Sequence, residues 1–286
     1  PSFFLFFLSI SNPMTSQKLL VITGNQLTHK YFLNQLGSQF ELSAVIIENV
    51  QYPDPPFNSD EERKTWDEFF LIRDKTEKSL LHVYENNISQ KHPKIFYIKK
   101  GFLNSDKTLQ LIQKLNPTKI IIFGTSLLGS KYLKLYPDQI WNLHVGLSQY
   151  YRGSSCNFWP IYDLKPQYLG ATVHFVGKGI DDGNIVIQNT IALDKNDSEF
   201  VLMTKPIILG TKLMIEAIKD TNTNLAVNGK LKNKGNLYQI KDFNPKAIIK
   251  VKNLVASGKL KQTIELETGN QNKHQHFPFI QNTYLT

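Results

Sequence analysis

A single cysteine, Cys156, stands in 286 residues, which excludes an internal disulfide and any zinc site built from several thiolates. It lies in a Ser-Ser-Cys-Asn turn and reads as an inert thiol. Long apolar runs are missing too. The most compact run, Phe3 to Leu8, falls far short of the roughly 20 residues that cross a bilayer as a helix. It also lacks the basic lead of a secretion signal, and the chain opens on Pro1. Residues 1–13 therefore read as a disordered extension upstream of a start at Met14, and the rest as a soluble, cytoplasmic protein with no membrane partner. Repeated glycines are absent from the first strand-to-helix turn, Thr23-Gly24-Asn25-Gln26-Leu27-Thr28, so no dinucleotide or phosphate loop is expected there. Gly24 reads as an ordinary tight turn. His274 and His276 have no carboxylate or third imidazole beside them and read as a tail, so no metal is expected.

What is present is enough apolar sequence for a full core: 41% of the residues are hydrophobic. The formal charge of +9 is unevenly spread. From Lys219 to Lys273 there are eleven lysines against Asp220, Asp242, Glu265 and Glu267, so most of the surplus charge lies in the last quarter of the chain. Such a segment either attracts phosphate or is a solvated lysine-rich surface.

Short apolar runs at residues 19–23, 42–48, 94–98, 119–123, 141–144, 171–175 and 185–192 read as strands. Amphipathic stretches at 29–37, 61–84, 105–115 and 199–219 read as helices. Strand-helix alternation in the first half predicts an α/β fold, a doubly wound, mostly parallel sheet of about seven strands. The helix of the 51–93 insertion opens on Ser59 and acidic residues, and its Trp66, Phe69, Phe70 and Ile72 should pack on the sheet. Residues 14–220 then form one domain and residues 221–286 a small basic appendage. The appendage reads as a hairpin around Gly229 or Gly235, followed by a helix over 246–256 with Asn244 as cap, Pro245 in its first turn and Gly258 as stop.

Two stretches carry chemistry: NLHVGLSQYYRGSSCNFW, starting at Asn142, and ATVHFVGKGIDDG, starting at Ala171. Asn142 and His144 are two apart in a strand, so their side chains leave one face and can converge on a small polar group. Asp181 follows the next strand in a glycine-bounded turn that can return to that face. An amide, an imidazole and a carboxylate suit attack on a carbonyl. The amide donates to the developing oxyanion, the imidazole assists, and the carboxylate orients it or handles the proton.

The ordered set Asn142-x-His144, Leu147-Ser148, Tyr151-Arg152-Gly153, His174 and Ile180-Asp181-x-Gly183 resembles the formyltransferases that use 10-formyltetrahydrofolate. The resemblance spans residues 19–219 and is strongest over 120–191. It implies a Rossmann-like catalytic domain, 10-formyltetrahydrofolate as the donor co-substrate and a primary amine as acceptor. Asn142, His144 and Asp181 would be catalytic, with Asp181 chosen over Asp182 because it takes the family's position before x-Gly. The loop Phe123-Gly124-Thr125-Ser126-Leu127-Leu128 resembles the folate-facing loop, Arg152 and Gly153 would shape the acceptor entrance, and His174 and Gly183 would support the site.

Purine-pathway relatives carry a glycine-rich phosphate loop after the first strand, which this chain lacks. Methionyl-tRNA formyltransferases add a β-barrel domain of about a hundred residues, which the sequence after Lys219 does not suggest. The resemblance therefore points first to an amino sugar on a nucleotide and less to tRNA, with a homodimer as one option for assembly. Two other classes stay open: a formyltetrahydrofolate hydrolase, whose relatives carry an extra N-terminal domain, and a non-catalytic folate-binding protein. A chain that starts at Met14 should keep the thermal midpoint and turnover of the 286-residue chain. Loss of folding on that truncation would refute the assigned start.

Overall fold

The computed structural model describes residues 18–49, 51–82, 93–220, 229, 231 and 233–271. The expectations for residues 1–13, for His274 and His276, and for most of the hairpin lie outside them. In chain order the elements are β1 (Leu19–Thr23), α1 (Leu27–Gln39), β2 (Leu42–Asn49), α2 (Asp60–Leu81), β3 (Lys94–Lys99), α3 (Asp106–Leu115), β4 (Lys119–Phe123), α4 (Ser130–Leu135) and β5 (Ile140–His144). There follow β6 (Tyr151–Gly153), α5 (Trp159–Tyr162), β7 (Gly170–Phe175), β8 (Ile185–Thr190), α6 (Glu199–Lys219), β9 (Asn236–Tyr238), α7 (Pro245–Ala256) and α8 (Lys259–Gln271).

Seven strands form one sheet in the order β3-β2-β1-β4-β5-β7-β8. The first five are parallel, and β7 and β8 pair antiparallel at one edge. Side chains alternate across the sheet: Leu19 and Val21 enter the core with Phe32, Leu33 and Leu36 of α1 and Ile207, Leu213 and Met214 of α6. Leu20 and Ile22 enter the opposite core with Leu109 and Ile112 of α3 and Tyr132 of α4. Burial on both faces makes these strands read as unbroken apolar runs. The chain steps outward from β1 to β3 and returns to β4 on the other side of β1, so strand order reverses between β1 and β4. The crevice beyond their carboxyl ends is where such sheets hold ligands.

Helix starts follow capping chemistry. The Ser59, Ser105, Ser198 and Asn244 side chains accept from the backbone N–H groups of Glu62, Thr108, Val201 and Ala247 and so open α2, α3, α6 and α7. Helix α1 begins at Leu27, ahead of the expected 29, because Gln26 and His29 close a reciprocal cap. Three sequence expectations need correction. The apolar side of α2 packs chiefly against α6, α7 and α1, not on the sheet. The Tyr151-Arg152-Gly153 turn is a short strand, β6, paired in parallel with β9; the described end of the expected hairpin is thus a strand whose partner lies far back in the chain. Helix α8 extends the C-terminal segment beyond the stop at Gly258, which adopts φ +73°.

A third core is largely aromatic and joins the C-terminal segment to the rest. Phe243 is 4% exposed, and its ring centroid lies 5.4 Å from Trp66, 5.5 Å from Phe69 and 4.8 Å from Phe158. Ile248, Val251, Leu260 and Ile264 of α7 and α8 enter the same cluster. Phe243→Ala should cost about 3–5 kcal/mol, read as a lower urea midpoint with an unchanged slope. A loss under 1 kcal/mol would mean that this cluster does not hold the segment.

Candidate active site

Strand β5 carries Asn142 and His144 to the carboxyl end of the sheet, as the two-residue spacing predicts. His174 arrives from β7, which pairs antiparallel with β5 so that Asn142 and His174 stand opposite each other. Asp181 closes the cluster from the turn before β8 with a φ of +46°, a left-handed conformation that Asp tolerates better than most residues. Its Oδ2 accepts from the Gly153 N–H at 2.9 Å and lies 3.3 Å from His144 Nδ1. Its Oδ1 accepts from Asn142 Nδ2 at 3.2 Å and lies 3.3 Å from His174 Nε2.

Proton positions follow from these partners. His174 Nδ1 lies 2.8 Å from the Phe175 carbonyl, and its Nε2 lies 3.0 Å from Asn142 Nδ2 and 3.3 Å from Asp181 Oδ1. Asn142 Nδ2 thus faces both His174 and Asp181 inside the cluster. In His144, Nε2 faces the Tyr151 carbonyl at 2.9 Å and Nδ1 faces the Asp181 carboxylate, so both ring nitrogens meet acceptors. Only a protonated ring donates to both. Burial has the largest effect and pulls the imidazole below its ordinary range, against the upward push of Asp181 and the Tyr151 carbonyl, so the neutral ring is favoured and can take up a proton. For Asp181 the balance favours the charge. Burial pushes the carboxyl up, but His144, His174 and the Gly153 N–H outweigh it and hold the group ionised, below the usual carboxylate range.

The cluster lines a cleft of about 590 Å³. The 123–128 loop forms another part of its wall. Buried Glu48, at the carboxyl end of β2, accepts from Ser126 N–H at 2.7 Å, Ser126 Oγ at 2.9 Å and Gly101 N–H at 3.2 Å. Asn104 holds the loop's far end through Leu127 O and Gly129 N, at 2.8 and 2.7 Å. So anchored, the loop leaves Leu127 64% exposed while Leu128 packs on the core below. Gly124 has φ +65°, and a Cβ there would lie 2.0 Å from His29 Nε2.

Other expected residues fall around this centre. The Arg152 guanidinium donates to the Gly235 and Ile180 carbonyls, both at 3.0 Å. It thereby braces the turn that carries Asp181. Gly153 does line the cleft. Gly183 lets that turn approach β7, since a Cβ there would sit 1.7 Å from the Phe175 carbonyl oxygen. Asp182 points away and pairs with Lys234 at 2.7 Å. Cys156 is buried, and burial pushes its thiol well up, which keeps it protonated.

Sequence reasoning missed His29, Tyr52, Arg73 and Glu77, which also line the cleft. Only the His29 position, three residues past Gln26 in a helix start, offered a signal. Its Nδ1 accepts from the Gln26 N–H at 3.1 Å, its ring meets Phe123 edge-on, and burial lowers it from 6.5 to about 4. The folded protein thus resists protonating a ring that the unfolded chain protonates near 6.5. Stability is complete above that value and drains as pH falls toward 4. His29→Gln should therefore narrow the stability difference between pH 7 and pH 4.5 by about 2–3 kcal/mol, measured by urea unfolding at both. An unchanged difference would show that His29 titrates alike in both states.

A family model described as formyl transferase matches residues 20–218. A methionyl-tRNA formyltransferase of Desulforamulus reducens is 31% identical over 110 residues, 38% of this chain and 34% of that protein. The chain thus aligns with about a third of the length of that relative. Among solved structures, a sugar N-formyltransferase from a Shewanella species shares the fold with a TM-score of 0.50 at 17% identity, over 79% of this chain and 78% of that one. A phosphoribosylglycinamide formyltransferase from Anaplasma phagocytophilum gives 0.51 at 15% identity, over 71% of this chain and 86% of that one. Because the model match runs through most of the sheet and every residue of the polar cluster, this chain belongs to the formyl transferase family.

Proposed function

We propose that the protein transfers a formyl group from 10-formyltetrahydrofolate to a primary amine, and that the amine is carried by a nucleotide-linked amino sugar. The observation that carries the reaction type is the convergence of Asn142, His144, His174 and Asp181 on one wall of the cleft. The residues present suit a folate. About 590 Å³ is in the range of organic ligand sites, Leu127 offers an exposed apolar surface, and Glu48 and Asn104 fix the loop backbone beside it.

When bound, the folate supplies the formyl carbon. Asn142 then gives up its bond to His174 or Asp181 and donates to the formyl oxygen as an incoming amine adds to the carbon. One such donor is typically worth about 10²–10³ in rate. His144, held by Asp181, carries the proton from the acceptor nitrogen to the departing N10. A carbon–nitrogen bond forms to the acceptor, the bond to N10 breaks, and no net charge is left in the site. Arg152 and Gly153 keep Asp181 in place through the Ile180 carbonyl and the Gly153 N–H.

One fact supports the sugar acceptor: among the described residues, the segment after the matched region is β9, α7 and α8, packed into the aromatic core. Transfer to methionyl-tRNA is the second reading, favoured by the 31% identity to the Desulforamulus reducens protein.

Incubation with 10-formyltetrahydrofolate, alone and with a set of nucleotide-linked amino sugars or methionyl-tRNA, separates these readings by tetrahydrofolate release. Release that needs an amino sugar is expected. Release without any amine would replace transfer with hydrolysis, and release that needs charged tRNA would move the acceptor. Asn142→Ala should lower kcat by about 10²–10³ and His144→Ala by about 10²–10⁴, with cooperative unfolding retained. Near-normal turnover in the His144 variant would sink the mechanism.

A further inference from the structure

Glu77 is a buried acid with no part in the proposed chemistry. Its side chain is 11% exposed, and among the described residues its carboxyl meets only Arg73 Nε, at 3.7 Å. That guanidinium is already committed. Arg73 Nε and Nη2 reach Asp74 Oδ1 at 2.9 and 2.6 Å, and its plane lies 4.3 Å over the Phe70 ring. Burial pushes the Glu77 carboxyl up to about 7, with Arg73 opposing and Asp74 adding to the rise. A buried acid with so few donors destabilises the fold, and a group retained under that penalty is a candidate for binding.

Its placement supports this. Phe69, Arg73 and Glu77 are four residues apart on α2, so they share one stripe of the helix, and all three line the cleft that holds Asn142, His144 and Asp181. Tyr52 lines the same cleft, with its hydroxyl 3.3 Å from Ser155 Oγ. The 123–128 loop, proposed to face the folate, comes from β4. The α2 stripe is therefore a separate polar wall, available to the second substrate.

We propose that Glu77 recognises the acceptor by taking a hydrogen bond from an O–H or N–H group of the amine substrate, with Arg73 setting its orientation. This rests on the reading of the cleft as a two-substrate formyl-transfer site. Such a carboxyl suits a hydroxyl-bearing or amino-bearing sugar, and it repels a second carboxylate or a phosphate at that position. The aromatic neighbours Phe69 and Tyr52 would meet the apolar face of the same ring.

Glu77→Gln and Glu77→Leu test the assignment in the full-length protein, with the nucleotide-linked amino sugar that wild type formylates fastest. Loss of a hydrogen bond to a charged group predicts an acceptor KM raised roughly 10-fold or more in the Leu variant, with a smaller rise in the Gln variant. The KM for 10-formyltetrahydrofolate should stay put, kcat should hold within about 3-fold, and the thermal midpoint should be unchanged or higher because a buried acid is gone. A purely structural role predicts the opposite pattern, a lower midpoint with an unmoved acceptor KM, and that result overturns the assignment. Should the Leu variant fail to fold, the Gln variant decides on the same readouts. Wild-type protein that shows no amine-dependent release overturns the functional reading itself; active wild type with unmoved KM values overturns only the role of Glu77.

Discussion

The site depends on one carboxylate. Asp181 sits in a left-handed turn and gathers the Gly153 N–H, the Asn142 amide and the two imidazoles of His144 and His174 within 3.3 Å. In a buried setting such an anion is tolerated only because these groups meet it, and they in turn hold their positions because it is ionised. Strained backbone at Asp181 costs on the order of 1–3 kcal/mol, and the structure offsets it with the braces from Arg152 and with the close approach that Gly183 permits. Orientation of the His144 ring, and with it any proton transfer, follows from this contact.

Around that centre the fold divides the labour. The parallel part of the sheet brings the carboxyl ends of β1, β4 and β5 together, and the antiparallel edge returns β7 so that His174 faces Asn142. Buried Glu48 fixes the 124–128 loop from below, while α2 supplies an aromatic and charged wall from elsewhere in the chain. The aromatic core that locks α2 to α7 and α8 makes the C-terminal segment part of the same packing unit as that wall. Loosening the segment therefore disturbs the surface that α2 presents.

Much of the architecture was legible in sequence because doubly buried strands leave apolar runs and capped helices leave serine and asparagine at their starts. The bounds of β1, β4 and α6 were read to the residue. Short elements such as β6, α4 and α5 have too few residues for a period to emerge. Asn142, His144, His174 and Asp181 were visible as a pattern, and the structure brings all four together. The two backbone carbonyls that Arg152 serves were not legible, because in sequence it looks like any arginine near a site. Tyr52, Arg73 and Glu77 carried no local signal, since each reaches the cleft from a segment remote in the chain, and neither did Glu48, which acts on the cleft only through the loop it holds.

The sequence by itself determined the alternation of strands and helices, the facing of Asn142 and His144, and the family motif, because these rest on local periodicity and spacing. Tertiary structure decided which side chains share a proton network and which walls enclose the cleft. Hydrogen bonds such as Gly153 to Asp181, and packing such as Phe243 on Trp66, join residues whose proximity no local pattern encodes.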